Sequence, residues 1–243
     1  MRRESEAGAS PRPSHSELRQ IDRLITRGKN QLGIRHGSLS TCPKGAMRAR
    51  LARVGYGIES IMRLISVNVG RPQDLVWHGR AVRTSIVKAP VAGRVRVNAL
   101  NLEGDEQSNL NDHGGKRKAV CVYPAEHYAF WRRELPDVDL PYGAFGENFT
   151  LEGWVETDAR IGDRLIIGSA EFVVTQPRLP CFKLELKLGG EDLKRRVLQN
   201  KLTGYYLSVA REGEVGAGDL VTVTPAPPGS PTVSSLVPAP KPR

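Results

Sequence analysis

The chain has 243 residues, room for one or two domains, and carries 36 Lys/Arg against 26 Asp/Glu for a formal net charge of +10. Most of that excess lies in residues 1–61, at +7, while residues 62–243 carry only +3. A body this close to neutral excludes a protein-wide nucleic-acid surface, although a small phosphate-bearing ligand needs only a few local cations.

In chain order, residues 1–61 read as a poorly ordered basic extension with scattered Arg, Ser, Gly and Pro. One short helix is predicted over 17–26, with Leu18, Ile21, Leu24 and Ile25 at helical spacing and Ser16 as its cap. The first thirty residues hold no apolar core of a secretory signal. No apolar run approaches the roughly 18–20 residues that cross a bilayer, so no membrane partner is expected. Gly55-Tyr56-Gly57 lacks a third glycine and a preceding strand, and is no dinucleotide fingerprint. Met62 opens a sharply different pattern and is read as the natural initiator, with a disordered arm as the alternative for residues 1–61.

From Met62 to residue 224 the pattern is short strands divided by turns. Leu64–Val69 starts a strand, residues 77–87 read as a hairpin region, and Arg94–Val97 alternates. Lys118–Tyr123 is a strand with Val120 and Val122 on one face and Cys121 and Tyr123 on the other. Pro124 then opens a helix whose Tyr128, Trp131 and Leu135 share a face, and Pro136 stops it. A Gly-Asp turn precedes both Arg164–Ile167 and Leu220–Val223. The sum predicts a mainly β domain over 62–224, a closed or nearly closed β barrel with a few short helices. A further helix is expected over 191–202 with Leu193, Val197 and Leu198 inward, and the Pro/Ser-rich residues 225–243 read as a disordered tail.

Three cysteines, Cys42, Cys121 and Cys181, form no metal-type spacing. An odd count of this kind favours reduced thiols and a cytoplasmic location, and leaves no self-contained iron–sulfur cluster. Cys181 stands apart, in Gln176-Pro177-Arg178-Leu179-Pro180-Cys181-Phe182-Lys183-Leu184. Two prolines stiffen this segment, and Arg178 and Lys183 favour a thiolate, the form that binds soft metals. Local sequence leaves two readings of Cys181 open, a reactive sulfur or a small buried hydrophobe.

A set of ordered motifs bears on that choice. Gly104-Asp105, His113-Gly114-Gly115, Ala119-Val120 through Tyr123-Pro124, Glu126-His127-Tyr128, Phe145-Gly146-Glu147-Asn148, Pro177-Arg178 with Cys181, and Gly204-Tyr205 follow one another along the chain. Together, over roughly residues 63–223, they resemble the MOSC family, named for the C-terminal domain of molybdenum-cofactor sulfurases, and within it the small bacterial stand-alone members. Each piece alone is weak, and the order is what makes the resemblance specific.

The resemblance implies a molybdenum–pterin cofactor (Mo) with Cys181 as the metal's protein ligand. A thiolate suits a soft metal that already takes two sulfurs from the pterin. In the same scheme the turn at His113, Gly114, Gly115 and Lys116 offers backbone N–H groups, and Lys116, Arg117 and Arg178 meet the phosphate. His113 is the candidate proton donor, Glu147 orients a cofactor amine, and Asn148 binds an oxo group or substrate. Structural alternatives stand beside these roles: a solvated hairpin turn for residues 113–118, an Asx-type turn for residues 145–148, and simple packing for Cys121. Asp105 and Asp112 receive no role, and one of Tyr205 and Tyr206 is expected to pack inward. The implied reaction is reduction of small N-hydroxylated compounds, with electrons from an external redox partner protein. The alternative is a sulfur or cofactor carrier holding a persulfide or the cofactor on Cys181. Nucleic-acid binding ranks last, confined to the basic extension.

Overall fold

The computed structural model describes residues 62–108, 114–190 and 192–240. The predicted helix over 17–26 lies outside the described residues, as do Asp112, His113 and Glu191. Twelve strands are described: β1 (Arg63–Val69), β2 (Gln73–Trp77), β3 (Arg80–Thr84), β4 (Ala89–Pro90), β5 (Arg94–Val97), β6 (Val120–Pro124), β7 (Phe149–Glu152), β8 (Arg164–Ile167), β9 (Ala170–Pro177), β10 (Tyr205–Arg211), β11 (Gly213–Gly216) and β12 (Val221–Thr224). Three α-helices join them: α1 (Glu126–Glu134), α2 (Phe182–Leu188) and α3 (Leu193–Asn200).

Eight strands form one sheet in the order β12-β8-β9-β10-β6-β7-β1-β4, antiparallel except for the parallel β6–β7 pair. The sheet is therefore mixed and does not close fully, where the strand pattern predicts a closed or nearly closed barrel. An isolated antiparallel bridge between Arg63 of β1 and Leu220 brings the start of β12 to β1, with the Leu64 amide donating to Asp219 O at 2.9 Å. The Gly218 amide donates to Leu64 O at 2.7 Å and the Val221 amide to Met62 O at 2.9 Å on the same seam. Two small ribbons complete the domain: β11 with β5, and the β2–β3 hairpin closed at His78-Gly79.

The period-two reading of β6 holds. Val120 and Val122 enter an apolar cluster with Leu64, Phe149, Leu165, Phe172 and Leu207. Tyr123 enters a second cluster with Tyr128, Trp131, Phe145, Leu184 and Val197 beneath the helices. Alternate side chains of one strand thus feed two cores. The α1 prediction holds for its buried face and its end: Tyr128 and Trp131 are buried, the Trp131 indole donates to Tyr123 Oη at 2.6 Å, and the helix ends before Pro136. Its start does not hold, because Pro124 closes β6 and the helix begins at Glu126. The predicted helix over 191–202 is α3, with Leu193 and Val197 buried and Leu198 half-buried.

The C-terminal segment departs from expectation. Through Pro240 it lies along the domain, with Ala226, Val233 and Val237 buried. The Val233 amide donates to Ala159 O and the Ser234 amide to Glu156 O, both at 2.8 Å, beside a bridge from Thr232 to Arg160. Three spaced apolar anchors and these backbone bonds offset the ordering entropy that a proline-rich composition suggests would win. Lys241–Arg243 lie outside the described residues.

Candidate functional site

A cleft opens where four stretches converge: residues 84–88 after β3, residues 105–108, β6 with the 146–148 turn, and the segment between β9 and α2. Its walls include Lys88, Asp105, Cys121, Asn148, Arg178, Cys181 and Tyr206. Cys181 is half-buried and immediately precedes α2, a helix the sequence reading passed over as loop. The missed signal is Leu184 and Leu188, four residues apart and both buried, behind a proline and alternating charges.

Arg178 is fixed at three points. Its amide donates to Gly204 O at 3.0 Å, its Nη2 donates to Phe145 O at 2.7 Å, and its side chain bonds to Tyr206. The residue is buried, which by itself lowers its pKa; Cys121, Tyr206 and Cys181 outweigh that and raise it. The guanidinium is therefore a permanent cation shared by two thiols and a phenol. Cys121 is buried more deeply, and burial pushes its thiol up to about 11 against the lowering pull of Arg178. Tyr206 is likewise raised by burial and stays neutral.

Asn148 holds the back wall. Its amide N donates to Cys121 O at 2.8 Å, and its Oδ1 accepts from Cys121 N at 3.1 Å. Its Nδ2 donates to Asp105 Oδ2 at 2.9 Å and to Asn68 O at 3.3 Å. Both donor hydrogens are thus spent within the protein, so Asn148 braces the cleft. Asp105 also accepts from Gly70 N at 2.8 Å and pairs with Lys88 through Oδ1. Lys88 escaped the sequence reading, and Asp105 carried no role there. Ser85 Oγ, in the same wall, is buried without a hydrogen-bond partner.

The remaining candidates are only partly gathered. Glu147 is fully buried but not in the cleft wall. Its Oε1 accepts from Tyr128 Oη, Gly143 N and Thr150 Oγ1, while Oε2 has no partner. It holds the 143–150 turn together. Gly115, at φ +84°, opens a short 3-10 turn over Lys116–Lys118, and its amide donates to Gln107 Oε1 at 3.0 Å. That positive φ is the conformational freedom expected of this glycine. Gly114 and Lys116 are near the rim without lining the cleft, and Lys118 is the turn's cleft-facing residue. The Arg117 guanidinium is exposed and donates to Thr175 O at 3.2 Å. His113 lies outside the described residues.

Among the described residues, no group of three or more His, Cys, Asp and Glu side chains stands ready to hold a metal by protein ligands alone. A single soft sulfur beside a buried cation and an unpartnered hydroxyl instead suits a metal arriving with most of its ligands on a cofactor. In this respect the residues present fit a molybdenum–pterin group. Among the described residues, no helix is long and apolar enough to cross a membrane.

The structure is a mixed β domain with a cleft lined by cysteine and arginine. Residues 109–222 match the model of the MOSC domain. The chain is 44% identical over 155 residues to the uncharacterized protein YflK of Bacillus subtilis (strain 168), covering 64% of this chain and 70% of that one. The solved structure of YiiM from Geobacillus stearothermophilus is 34% identical, covers 71% of this chain and 80% of its own, and superposes with a TM-score of 0.59. A protein named as a reductase in Gibberella moniliformis (strain M3125 / FGSC 7600) is 30% identical over 167 residues, which are 68% of this chain but 29% of that protein. The chain belongs to the MOSC-domain family, a family associated with molybdenum-cofactor binding.

Proposed function

We propose that the protein is a molybdenum-cofactor-dependent reductase of small N-hydroxylated compounds, with Cys181 as the protein's ligand to the metal. The observation that carries this reading is the convergence of Cys181, Cys121 and Tyr206 on the buried Arg178 cation in one cleft. Arg178 favours the thiolate of the partly exposed sulfur, and Lys118 in the cleft lining adds positive charge for an anionic cofactor. When bound, the cofactor supplies a redox-active metal with an open position for oxygen. The chain's own residues would bind it in a cleft whose back wall Asn148 braces and whose lining includes Ile86 and Leu179. The reductase name of the Gibberella relative supports oxidoreduction in general terms. Electrons come from an external donor protein.

The test is molybdenum and pterin content per full-length chain from a cofactor-competent host, beside Cys181→Ala. Both proteins are then assayed with benzamidoxime and dithionite. Near-stoichiometric metal and turnover, both lost in the variant, are the expected result. Absence of molybdenum from the unaltered protein would overturn the reading and leave sulfur carriage on Cys181 as its successor.

A further inference from the structure

Lys88 and Asp105 form the one ion pair in the described cleft wall that is buried at both ends, with side chains 8% and 3% exposed. Removing two charges from water is costly, and a neutral pair of similar shape would brace a wall as well or better. The cost is informative because the pair's surroundings already have their structural bonds. Asp105 reaches Gly70 N and Asn148 Nδ2 without help from the lysine. Lys88 and Cys121 both line the cleft.

Several neighbouring cleft groups are poorly suited to give up a proton to a ligand. Arg178 does not deprotonate. Tyr206 is raised by burial and bonded to Arg178. The Lys183 ammonium is turned to Arg83 O at 3.1 Å, away towards the hairpin. Asn148 has no proton to lend. Lys88 is a compact ammonium with three donors, of which Asp105 uses one in the hydrogen bonds observed.

We propose that Lys88 meets the oxygen of the substrate's N–OH group and delivers the proton that lets it leave as water. The inference deepens the reductase reading and rests on it. The balance is N–OH plus two electrons and two protons giving N–H and water. The N–O bond breaks, Lys88 supplies one proton to the oxygen, solvent supplies the other to nitrogen, and dithionite or a reduced flavoprotein supplies the electrons. Lys88 regains its proton from solvent through the open side of the cleft. Asp105 steadies the cation between turnovers.

The test uses the cofactor-loaded full chain, Lys88→Arg and Lys88→Gln. Lys88→Arg keeps the cation and the ion pair but holds its protons too tightly to donate them. Lys88→Gln keeps a hydrogen-bond donor to Asp105 without the charge. Turnover of benzamidoxime by both variants should fall by about 10²- to 10⁴-fold, the range for loss of a general acid. Molybdenum content and melting temperature should stay close to those of the unaltered protein in Lys88→Arg. A second readout needs no electrons: calorimetric binding of benzamidoxime against benzamidine, which lacks the oxygen. The unaltered protein and Lys88→Arg should prefer the amidoxime, and Lys88→Gln should lose most of that preference. Full activity in Lys88→Arg would reduce Lys88 to a fixed charge and overturn the proton transfer. An unchanged binding preference in Lys88→Gln would overturn the contact. If the unaltered protein shows no turnover, the reductase reading falls, and the binding comparison still decides the contact.

Discussion

Replacing Gly204 by alanine tests how the cleft is hung on the sheet. Gly204 sits at φ +71°, and a Cβ there would lie 2.3 Å from the Val122 carbonyl oxygen and 3.0 Å from Tyr123 Cδ2. Its amide donates to Glu156 Oε1 at 2.6 Å, and its carbonyl accepts from Arg178 N at 3.0 Å. The clash is with the backbone of β6, the strand that carries Cys121, so no flexible side chain can absorb it. Left-handed backbone costs an alanine about 1–2 kcal/mol. Overpacking adds about 1–3 kcal/mol. The smaller entropy of the unfolded alanine chain offsets about 0.4–1 kcal/mol. The net loss is about 2–4 kcal/mol, or a fall in Tm of roughly 5–15 °C for a domain of this size. Gly218→Ala is the matched control, because Gly218 has φ +96° but nothing within 4 Å of its added Cβ. It should lose about 1 kcal/mol or less, having strain without a clash. Thermal unfolding followed by circular dichroism compares the two. If Gly204→Ala melts within about 2 °C of Gly218→Ala, the contact between the β10 entry and β6 is wrong.

Three further outcomes follow from particular side chains. Burial lowers Lys187 to about 8 against the raising pull of Glu147, while its ammonium donates to Gly143 O at 2.7 Å. Below pH 8 the folded and unfolded chains both carry this charge. Between about 8 and 10.5 the unfolded chain binds the extra proton, so Lys187 should make stability rise with pH by up to about 3 kcal/mol. Denaturant midpoints across that window should rise in the unaltered protein relative to Lys187→Met, and parallel curves would refute the assignment. Val233→Ala should cost about 2–3 kcal/mol, since Val233 is fully buried where the C-terminal segment meets the domain. A loss below about 0.5 kcal/mol in urea unfolding would mean that the segment is not docked in solution. Arg178→Gln should slow iodoacetamide labelling of Cys181 roughly 3- to 30-fold, because the thiolate fraction falls while each thiolate gains nucleophilicity. Peptide mass spectrometry reads the rate, and an unchanged rate would separate Arg178 from the sulfur.

What the sequence made legible was local. Alternation in Val120–Tyr123 separates core from cleft within one strand, and the spacing of Tyr128 and Trp131 gives α1. Proline and charge around Cys181 mark the segment that becomes the cleft's edge. The ion pair of Lys88 and Asp105 was not legible, because seventeen residues separate the partners and only the fold places both beside Asn148. Glu147 misled for the opposite reason: a carboxylate in a glycine turn suggests ligand binding, yet three donors turn it inward. The C-terminal segment was obscured by composition, since single anchors such as Val233 do not register against the surrounding Pro and Ser.

The two cleft thiols resolve a question that the residue types leave open. Both lie near the same guanidinium, so charge alone would activate either. Burial separates them. Cys121 is locked on the central strand by Asn148 on both its amide and its carbonyl, and its thiol is pushed up to about 11. At neutral pH burial keeps it a protonated thiol. Cys181 is half-buried on a segment held in place by Pro180 and the start of α2, where solvent still reaches it. Under the proposed reading, Cys181 would be the sulfur offered to the cofactor's metal, while Cys121 stays a neutral thiol beside Arg178. The same cation can then favour one thiolate and one anionic ligand together, which a pair of equally ionised sulfurs would prevent.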